Sequence, residues 1–363
     1  MKILENYPLK NLNTFRTGGN ARFFCVIQNI NDLEEATSFL KENKTKFFVL
    51  GAGSNILVSD SGFNGLVIKN EILGKKISKD KVVYFAAGEN WDECVLFSIK
   101  NNLFGLENLS YIPGTVGGSV VQNIGAYGAE AKDFILKVEV YDAESGKIFE
   151  IDKKDCNFSY RNSIFKVKKN LIVTKVYFSL DKKFVPNFSF SGIKEKIEEN
   201  KIKISPSQGD QKRLKSRQRR FKPPCFGDVS EAITAIDVRN AVISIRKSKL
   251  PEVLELGSAG SFFKNPIITK EEYKKLKKKF PEIPGFSESN IKMKVSLAWI
   301  LDKICGLKNY KIGNVGLYKN QPMVLVNFGK ATTEEIINLS DKIKKIVKEK
   351  TGIKVEEEVI HIF

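Results

Sequence analysis

Apolar and polar positions along the chain follow two periods, and the switches between them mark out its elements. Arg22–Ile27 alternates with period two, as a half-buried strand does. Helical spacing follows: Leu33, Ala36 and Leu40 share one face, with Asn31 as the expected cap. Phe47–Leu50 is a continuous apolar run closed by G-A-G-S-N at Gly51–Asn55, so the chain opens as β-α-β with a glycine turn after the second strand. Ile56–Val58, Gly65–Lys69 and Val82–Gly88 predict further strands, and Trp91–Asn101 predicts a helix with Leu96 and Ile99 inward. Leu136–Asp142, Lys147–Ile151 and Leu171–Leu180 alternate as antiparallel strands, and Gly192–Asn200 reads as a short helix. Farther on, Val238, Ala241, Val242 and Ile245 give Asp237–Arg246 one apolar helical face; a Lys-rich helix near Lys270–Lys279, an apolar segment Val295–Cys305 and a strand Met323–Asn327 follow. Thr332 with Glu335 forms a capping box for a helix carrying Ile336, Leu339, Ile343 and Ile346 inward, stopped at Gly352. No internal repeat is present.

Two stretches break these periods. Tyr111–Glu130 reads Y-I-P-G-T-V-G-G-S-V-V-Q-N-I-G-A-Y-G-A-E, with glycines at 114, 117, 118, 125 and 128 and no charge before Glu130. Such a density means backbone at positive φ or in close approach to a partner. By itself it fits a turn between core elements, and it also fits a neutral, N–H-rich cradle for a pyrophosphate, with Ser119, Gln122 and Asn123 as hydrogen-bonding groups. The G-x-G at Gly51–Gly53 is not a dinucleotide fingerprint of the Rossmann kind: the third glycine is missing and a strand, not a helix, follows. The second break is Lys201–Asp228, where Pro206, Pro223 and Pro224 surround Lys212, Arg213, Lys215, Arg217, Arg219, Arg220 and Lys222. It reads as an exposed insertion between domains.

Composition narrows the chemistry. With 363 residues, 42% hydrophobic and 10% aromatic, the chain folds as two or three domains. No run is long and apolar enough to span a membrane, and M-K-I-L-E-N-Y-P lacks a signal peptide's apolar core, which predicts a cytoplasmic protein. Cys25, Cys94, Cys156, Cys225 and Cys305 are odd in number and scattered, so reduced buried thiols are expected, without disulfides or a zinc site. His361 is the single histidine, which excludes histidine-rich metal sites. The net charge of +18 admits a nucleic-acid partner or small polyanionic ligands; lysines spread along the whole chain favour the second.

Other segments mix glycine with reactive groups. Arg161, in S-Y-R-N-S-I-F-K (Ser159–Lys166), is either a surface charge between strands or a bidentate partner for a carboxylate or phosphate. Lys249, in R-K-S-K-L-P, either caps its helix or reaches a ligand anion. Ser261 lies between a flexible G-S-A-G and two phenylalanines, with Lys264 and Asn265 beside it. In Glu356-Glu357-Glu358, strand alternation sends Glu356 and Glu358 to one face and Glu357 to the other; a solvated acidic tip is the plainer alternative.

In chain order, N-T-F-R-T-G-G, L-G-A-G-S-N-I-L, the Tyr111–Glu130 stretch, Y-R-N-S-I-F-K, K-L-P, G-S-A-G-S-F-F-K-N-P and the final E-E-E-V resemble the UDP-N-acetylenolpyruvoylglucosamine reductase family of peptidoglycan precursor synthesis. The resemblance spans nearly the whole chain outside Lys201–Asp228. It implies an α+β fold: an FAD-binding PCMH-type domain of two subdomains, as in vanillyl-alcohol oxidases, then a smaller α+β substrate-binding domain. The expected segments are 1–16 (N-terminal), 17–182 (FAD), 183–236 (linker with the basic insertion), 237–355 (substrate) and 356–363 (C-terminal strand). FAD would lie against Gly51, Ala52, Gly53, Ser54 and Asn55 and against Pro113, Gly114, Thr115, Gly117, Gly118, Ser119, Gln122, Asn123, Gly125, Ala126 and Tyr127. No histidine lies in that domain, so its attachment is expected to be non-covalent.

The resemblance further implies that NADPH reduces FAD, which then passes hydride to UDP-N-acetylglucosamine enolpyruvate. Ser261 matches the family's proton donor, Arg161 and Glu358 the groups around the substrate carboxylate, and Tyr160, Lys249, Asn265 and Gln321 further substrate contacts. A monomer binding small molecules, with no nucleic acid and no membrane, is expected. Two departures stand out: Phe190 occupies a place where a substrate-contacting tyrosine is found in one subtype, and Ile360 follows E-V where an arginine is usual. The competing readings are a flavin-dependent sugar or alcohol oxidase and a nucleic-acid-binding protein using the Lys212–Lys222 run.

Overall fold

The computed structural model describes residues 1–78, 80, 82–190, 192–204 (side chains as far as 201), 232–253 and 255–363. The basic run Lys212–Lys222 and Cys225 lie outside them.

Two sheets build the first part of the molecule. One has four strands in the order Leu4–Pro8, Asn20–Ile27, Phe63–Asn70, Phe47–Leu50, with the last three parallel. The other has five, Ile148–Asp152, Ile135–Asp142, Leu171–Phe178, Val83–Ala86 and Lys75–Ile77, all antiparallel. The helix Ile30–Asn43 covers the first sheet by burying Leu33, Ala36 and Leu40 against Phe23, Cys25, Leu66 and Ile68. Its cap is Asn29, whose side chain accepts from Asp32 N, and not Asn31. Both asparagines flank Ile30, and only the earlier one precedes the first helical turn. The helix Trp91–Lys100 buries Trp91, Cys94, Val95 and Ile99 in the core of the second sheet, while Leu96 is half-buried.

The glycine stretch contains a helix as well as loops. Val116–Gln122 is helical, capped by the Thr115 side chain on Gly118 N and ended by Asn123 at φ 45°. Gly117 fits there because Ala87 leaves no room: a Cβ would stand 3.0 Å from the Ala87 Cβ.

The third core surrounds the helix Thr333–Thr351, which has the expected capping box and buries Ile336, Leu339, Ile343 and Val347; Ile346 is half-buried. Phe15 from the N-terminal loop is fully buried in it and meets Phe262 edge-on, with centroids 6.1 Å apart. The same loop ties two glycine turns together, since Thr14 N donates to Gly53 O (3.0 Å) and Thr14 Oγ1 to Ser258 O (2.6 Å). The last strand, Ile360–Ile362, returns to the first part of the chain and pairs in parallel with Ile56–Val58, directly after the Gly51–Asn55 turn. Cys25, Cys94, Cys156 and Cys305 are buried free thiols. Among the described residues no helix is long and apolar enough to cross a membrane.

Candidate active site

Glu358 is delivered by that returning chain end. Ile360 N donates to Asn55 O (3.0 Å), Asn55 Nδ2 to Glu358 O (3.2 Å) and Glu358 N to Phe262 O (2.8 Å). These bonds fix the Glu358 backbone between the first glycine turn and the Gly257–Pro266 segment. Ser261 precedes Phe262 and bridges Val324 on its other side, so it lies one residue along from the bond that holds Glu358.

The Glu358 side chain, 13% exposed, meets Arg161, 17% exposed, with Nε 2.8 Å from Oε1. The contact is an ion pair without an aligned hydrogen bond, because Arg161 Nε finds no acceptor in line with its N–H. Gln122 Nε2 donates to the same Oε1 at 3.0 Å. Arg161 itself is locked. Its Nη2 donates to Gly125 O (2.6 Å) and Nη1 to Asn123 O (3.4 Å), and Lys166 Nζ donates to its carbonyl at 2.8 Å. Arg161 needs that hold because its backbone sits at φ 53°, unfavourable for a residue with a Cβ. Burial, with Lys264 and Arg161 nearby, lowers the Lys166 ammonium to about 8.

Of the other expected substrate residues, Tyr160 and Asn265 meet beside Arg161, while Lys249 and Gln321 lie on segments that meet each other. The Tyr160 hydroxyl accepts from Asn265 N (3.3 Å), and Asn265 Oδ1 accepts from Leu297 N (3.0 Å). Burial raises the Tyr160 phenol. Lys249 is exposed and does not close its helix, which ends with Leu250 N on Arg246 O; its Nζ lies 5.3 Å from the Phe190 ring centroid. Phe190 in turn meets Tyr127 edge-on at 4.9 Å. Asn320 Nδ2 donates to Ser248 O (2.9 Å), bringing the strand that starts at Gln321 to the end of the Lys249 helix. Gln321 Oε1 is buried without a partner.

The two neutral loops face each other. Ser54 Oγ donates to Pro113 O (2.9 Å), and a Cβ on Gly51 would fall 2.7 Å from Thr115 Oγ1. Gly53 stands at φ 65° with a would-be Cβ 2.1 Å from Leu12 O, so only glycine fits. Gly118 differs: a Cβ there would meet nothing nearer than Thr115 Oγ1 at 3.5 Å. Internal packing does not demand this glycine, and its bare backbone leaves room for a ligand. Gln122 Oε1 is also buried without a partner. Two uncharged, glycine-rich loops in contact, with an orphaned amide oxygen beside them, fit the isoalloxazine and diphosphate of FAD. Ser119 and Asn123, by contrast, spend their side chains internally. Ser119 Oγ donates to Val116 O (2.7 Å), and Asn123 Nδ2 donates to Ser159 O (2.9 Å). Arg246 Nε holds the other end of the stretch through Tyr111 O (2.9 Å). Arg246 lies in the R-K-S-K-L-P run, where the sequence singled out Lys249 and not this arginine.

Glu357 faces away from the site, as alternation predicts. Lys344 Nζ (2.9 Å) and Ser340 Oγ donate to its Oε1, and His361 Nε2 lies 2.6 Å from Oε2. Burial pushes its pKa up, but these three partners outweigh it and hold the carboxyl at about 2. An unfolded glutamate titrates near ~4.3, so the folded value is the lower one. Stability from Glu357 is therefore fully present above the unfolded value and is lost as pH falls through about 2. Glu357→Gln is expected to destabilise the protein at pH 7, with the gap to wild type closing as urea titrations move from pH 5 towards pH 3; a gap independent of pH would show that ionisation of Glu357 is not its source. Glu356 is the solvated member of the three, 75% exposed and paired with Lys264 at 3.1 Å.

Both parts of the chain are similar to known proteins. Residues 21–152 match the profile of an FAD binding domain, and residues 252–362 match the C-terminal domain of UDP-N-acetylenolpyruvoylglucosamine reductase. The chain is 41% identical to the UDP-N-acetylenolpyruvoylglucosamine reductase of Flavobacterium johnsoniae over 99% of both chains, and 36% identical to that of Buchnera aphidicola over 97% of this chain and 94% of the relative. The crystal structure of UDP-N-acetylenolpyruvylglucosamine reductase from Thermus caldophilus superposes with a TM-score of 0.65 at 23% identity, covering 99% of this chain and 98% of that one, and so shares its fold. With a shared fold, both domain profiles in order and full-length identity of this level, the chain belongs to the UDP-N-acetylenolpyruvoylglucosamine reductase family.

Proposed function

We propose that this chain reduces UDP-N-acetylglucosamine enolpyruvate to UDP-N-acetylmuramate with NADPH, through non-covalently held FAD, as a cytoplasmic monomer. The observation that carries the reading is the mostly buried Arg161–Glu358 pair with Ser261 one residue from the Phe262–Glu358 hydrogen bond. Gly51–Asn55 and Pro113–Tyr127 are the residues that would hold FAD. Bound there, FAD supplies a two-electron carrier that accepts hydride from NADPH and releases it to the vinyl terminus of the substrate.

The chain's own groups supply charge, orientation and a proton. Once the vinyl terminus has gained hydride, the neighbouring carbon carries enolate character conjugated with the carboxylate. Arg161 is the cation for that charge, and its position is set in advance by the carbonyls of Asn123 and Gly125 and by Lys166 on its own carbonyl. Little reorganisation is then needed as charge develops. Glu358 is kept close by Gln122 and Arg161, both acting on Oε1. Ser261 is the proton donor; a hydroxyl is a weak acid and serves only when held within about 3 Å of a strongly basic carbon. Tyr160, Lys249, Asn265 and Gln321 orient the nucleotide. Family membership sets aside the sugar or alcohol oxidase, which would have no use for Ser261, Arg161 and Glu358 together.

The test is anaerobic. Purified protein is expected to be yellow, to bleach with NADPH and to recolour on adding the enolpyruvyl nucleotide but not oxygen-free buffer. Failure of the nucleotide to reoxidise the flavin would remove this reading.

A further inference from the structure

Lys69 stands where an apolar strand runs into the first glycine turn. It is the charged residue of L-V-I-K within the strand Phe63–Asn70, and it is in register with Leu50, the last residue of the neighbouring strand before Gly51. Neighbours at matched register share one sheet face, so Lys69 lies on the face of Leu50, towards the turn. Its Nζ donates to Gly51 O at 2.5 Å. Burial lowers its pKa, with Glu71 opposing the shift. An ammonium carries three donors. Here one is spent on a carbonyl, and no hydrogen bond or ion pair to a carboxylate is found for it among the described residues. A cation kept largely out of water at a single neutral acceptor is poorly compensated.

Its surroundings point to the missing counterpart. Gly51–Asn55 and Tyr111–Ala129 hold no charged residue, yet Ser54–Pro113 and Gly51–Thr115 bring these two neutral segments together beside Lys69. We infer that Lys69 is the counter-cation for the diphosphate of FAD, acting from the base of the Gly51–Asn55 turn. The inference rests on the FAD reading above. NADPH and the nucleotide substrate also carry diphosphates; FAD is assigned because Gly51 and Lys69 both lie inside residues 21–152, the part that matches an FAD binding domain. In this role Lys69 also explains why the loops themselves can remain neutral: backbone N–H groups orient the phosphates, and one ammonium from the adjoining strand balances part of their charge.

The test titrates flavin-free protein with FAD and with riboflavin, which lacks the diphosphate, following flavin fluorescence at low salt and at about 0.5 M salt, where charges are screened within a few ångströms. K69M is expected to weaken FAD roughly 10- to 100-fold, the range of a charge-assisted hydrogen bond, and to flatten its salt dependence. Riboflavin affinity should stay as in wild type, and K69R should hold FAD within a few-fold of wild type. Equal losses for FAD and riboflavin would make Lys69 a clamp on the turn and overturn the inference, as would unchanged FAD affinity. A raised KM for NADPH or the enolpyruvyl nucleotide, with FAD affinity intact, would assign the cation to another diphosphate and overturn it too. Should K69M melt far below wild type, K69Q carries the same comparison. Absence of FAD binding by the wild-type protein is a separate result that removes the FAD reading itself.

Discussion

Ser261→Ala is expected to slow flavin reoxidation by the enolpyruvyl nucleotide by about 10²- to 10⁴-fold, the range supplied by a positioned general acid. Flavin reduction by NADPH should stay within a few-fold of wild type. The asymmetry follows from chemistry: only the second half-reaction leaves a carbon that must be protonated, and hydride transfer from NADPH needs no proton donor. The variant should fold normally, because Ser261 enters the structure through its backbone. It bridges Val324, and the neighbouring Phe262 bonds Met323 on one side and Glu358 on the other. No hydrogen bond of the Ser261 hydroxyl is found among the described residues, so the substitution orphans no partner. Ser261→Cys, a stronger acid on a longer bond, should recover part of the rate. Stopped-flow traces of the two half-reactions decide the matter: equal slowing of both would move Ser261 from proton transfer to general architecture.

How far the chain could be read without its structure depended on the range of the interactions involved. The helices Ala235–Lys249 and Thr333–Thr351 were legible because their signals are local: Val238, Ala241 and Val242 recur at helical spacing, and Thr332 meets Glu335 three residues on. The Tyr111–Glu130 stretch looked like loop throughout, yet its middle is a helix. Glycine's low helix propensity was outweighed by Thr115 and Asn123 at its ends and by the tight approach of Ala87. Alternation put Glu357 and Glu358 on opposite faces, which is how they lie. What alternation does not supply is the parallel pairing of Ile360–Ile362 with Ile56–Val58, the contact that carries Glu358 to Arg161. Pairings between the two ends of a chain leave no local pattern. Lys69 was hidden differently: one lysine in an apolar strand gives no sign of whether it faces water or a buried turn.

Arg161→Met should combine a structural loss with a chemical one, and a second substitution separates them. Removing the guanidinium leaves the Glu358 carboxylate, 13% exposed, with the Gln122 amide as its remaining side-chain hydrogen-bond donor and Lys166 as the nearby cation. Breaking one partner of a mostly buried pair costs about 3–5 kcal/mol, and here the solvent that reaches both groups places the expected loss at the lower end. The carbonyls of Asn123 and Gly125 also lose their donor, so the turn around Gly125 should loosen. In R161M/E358Q the stranded charge is gone, and a large part of the lost stability should return. Activity should not return with it. The carboxylate of the substrate still lacks its cation, so reoxidation by the enolpyruvyl nucleotide should remain at least ~10³-fold slower than in wild type, in line with the loss of preorganised charge stabilisation. Urea denaturation of the four proteins in the cycle measures the first effect and single-turnover reoxidation the second. Recovery of both in the double variant would mean that Arg161 serves only to neutralise Glu358, and its place at the substrate carboxylate would be lost.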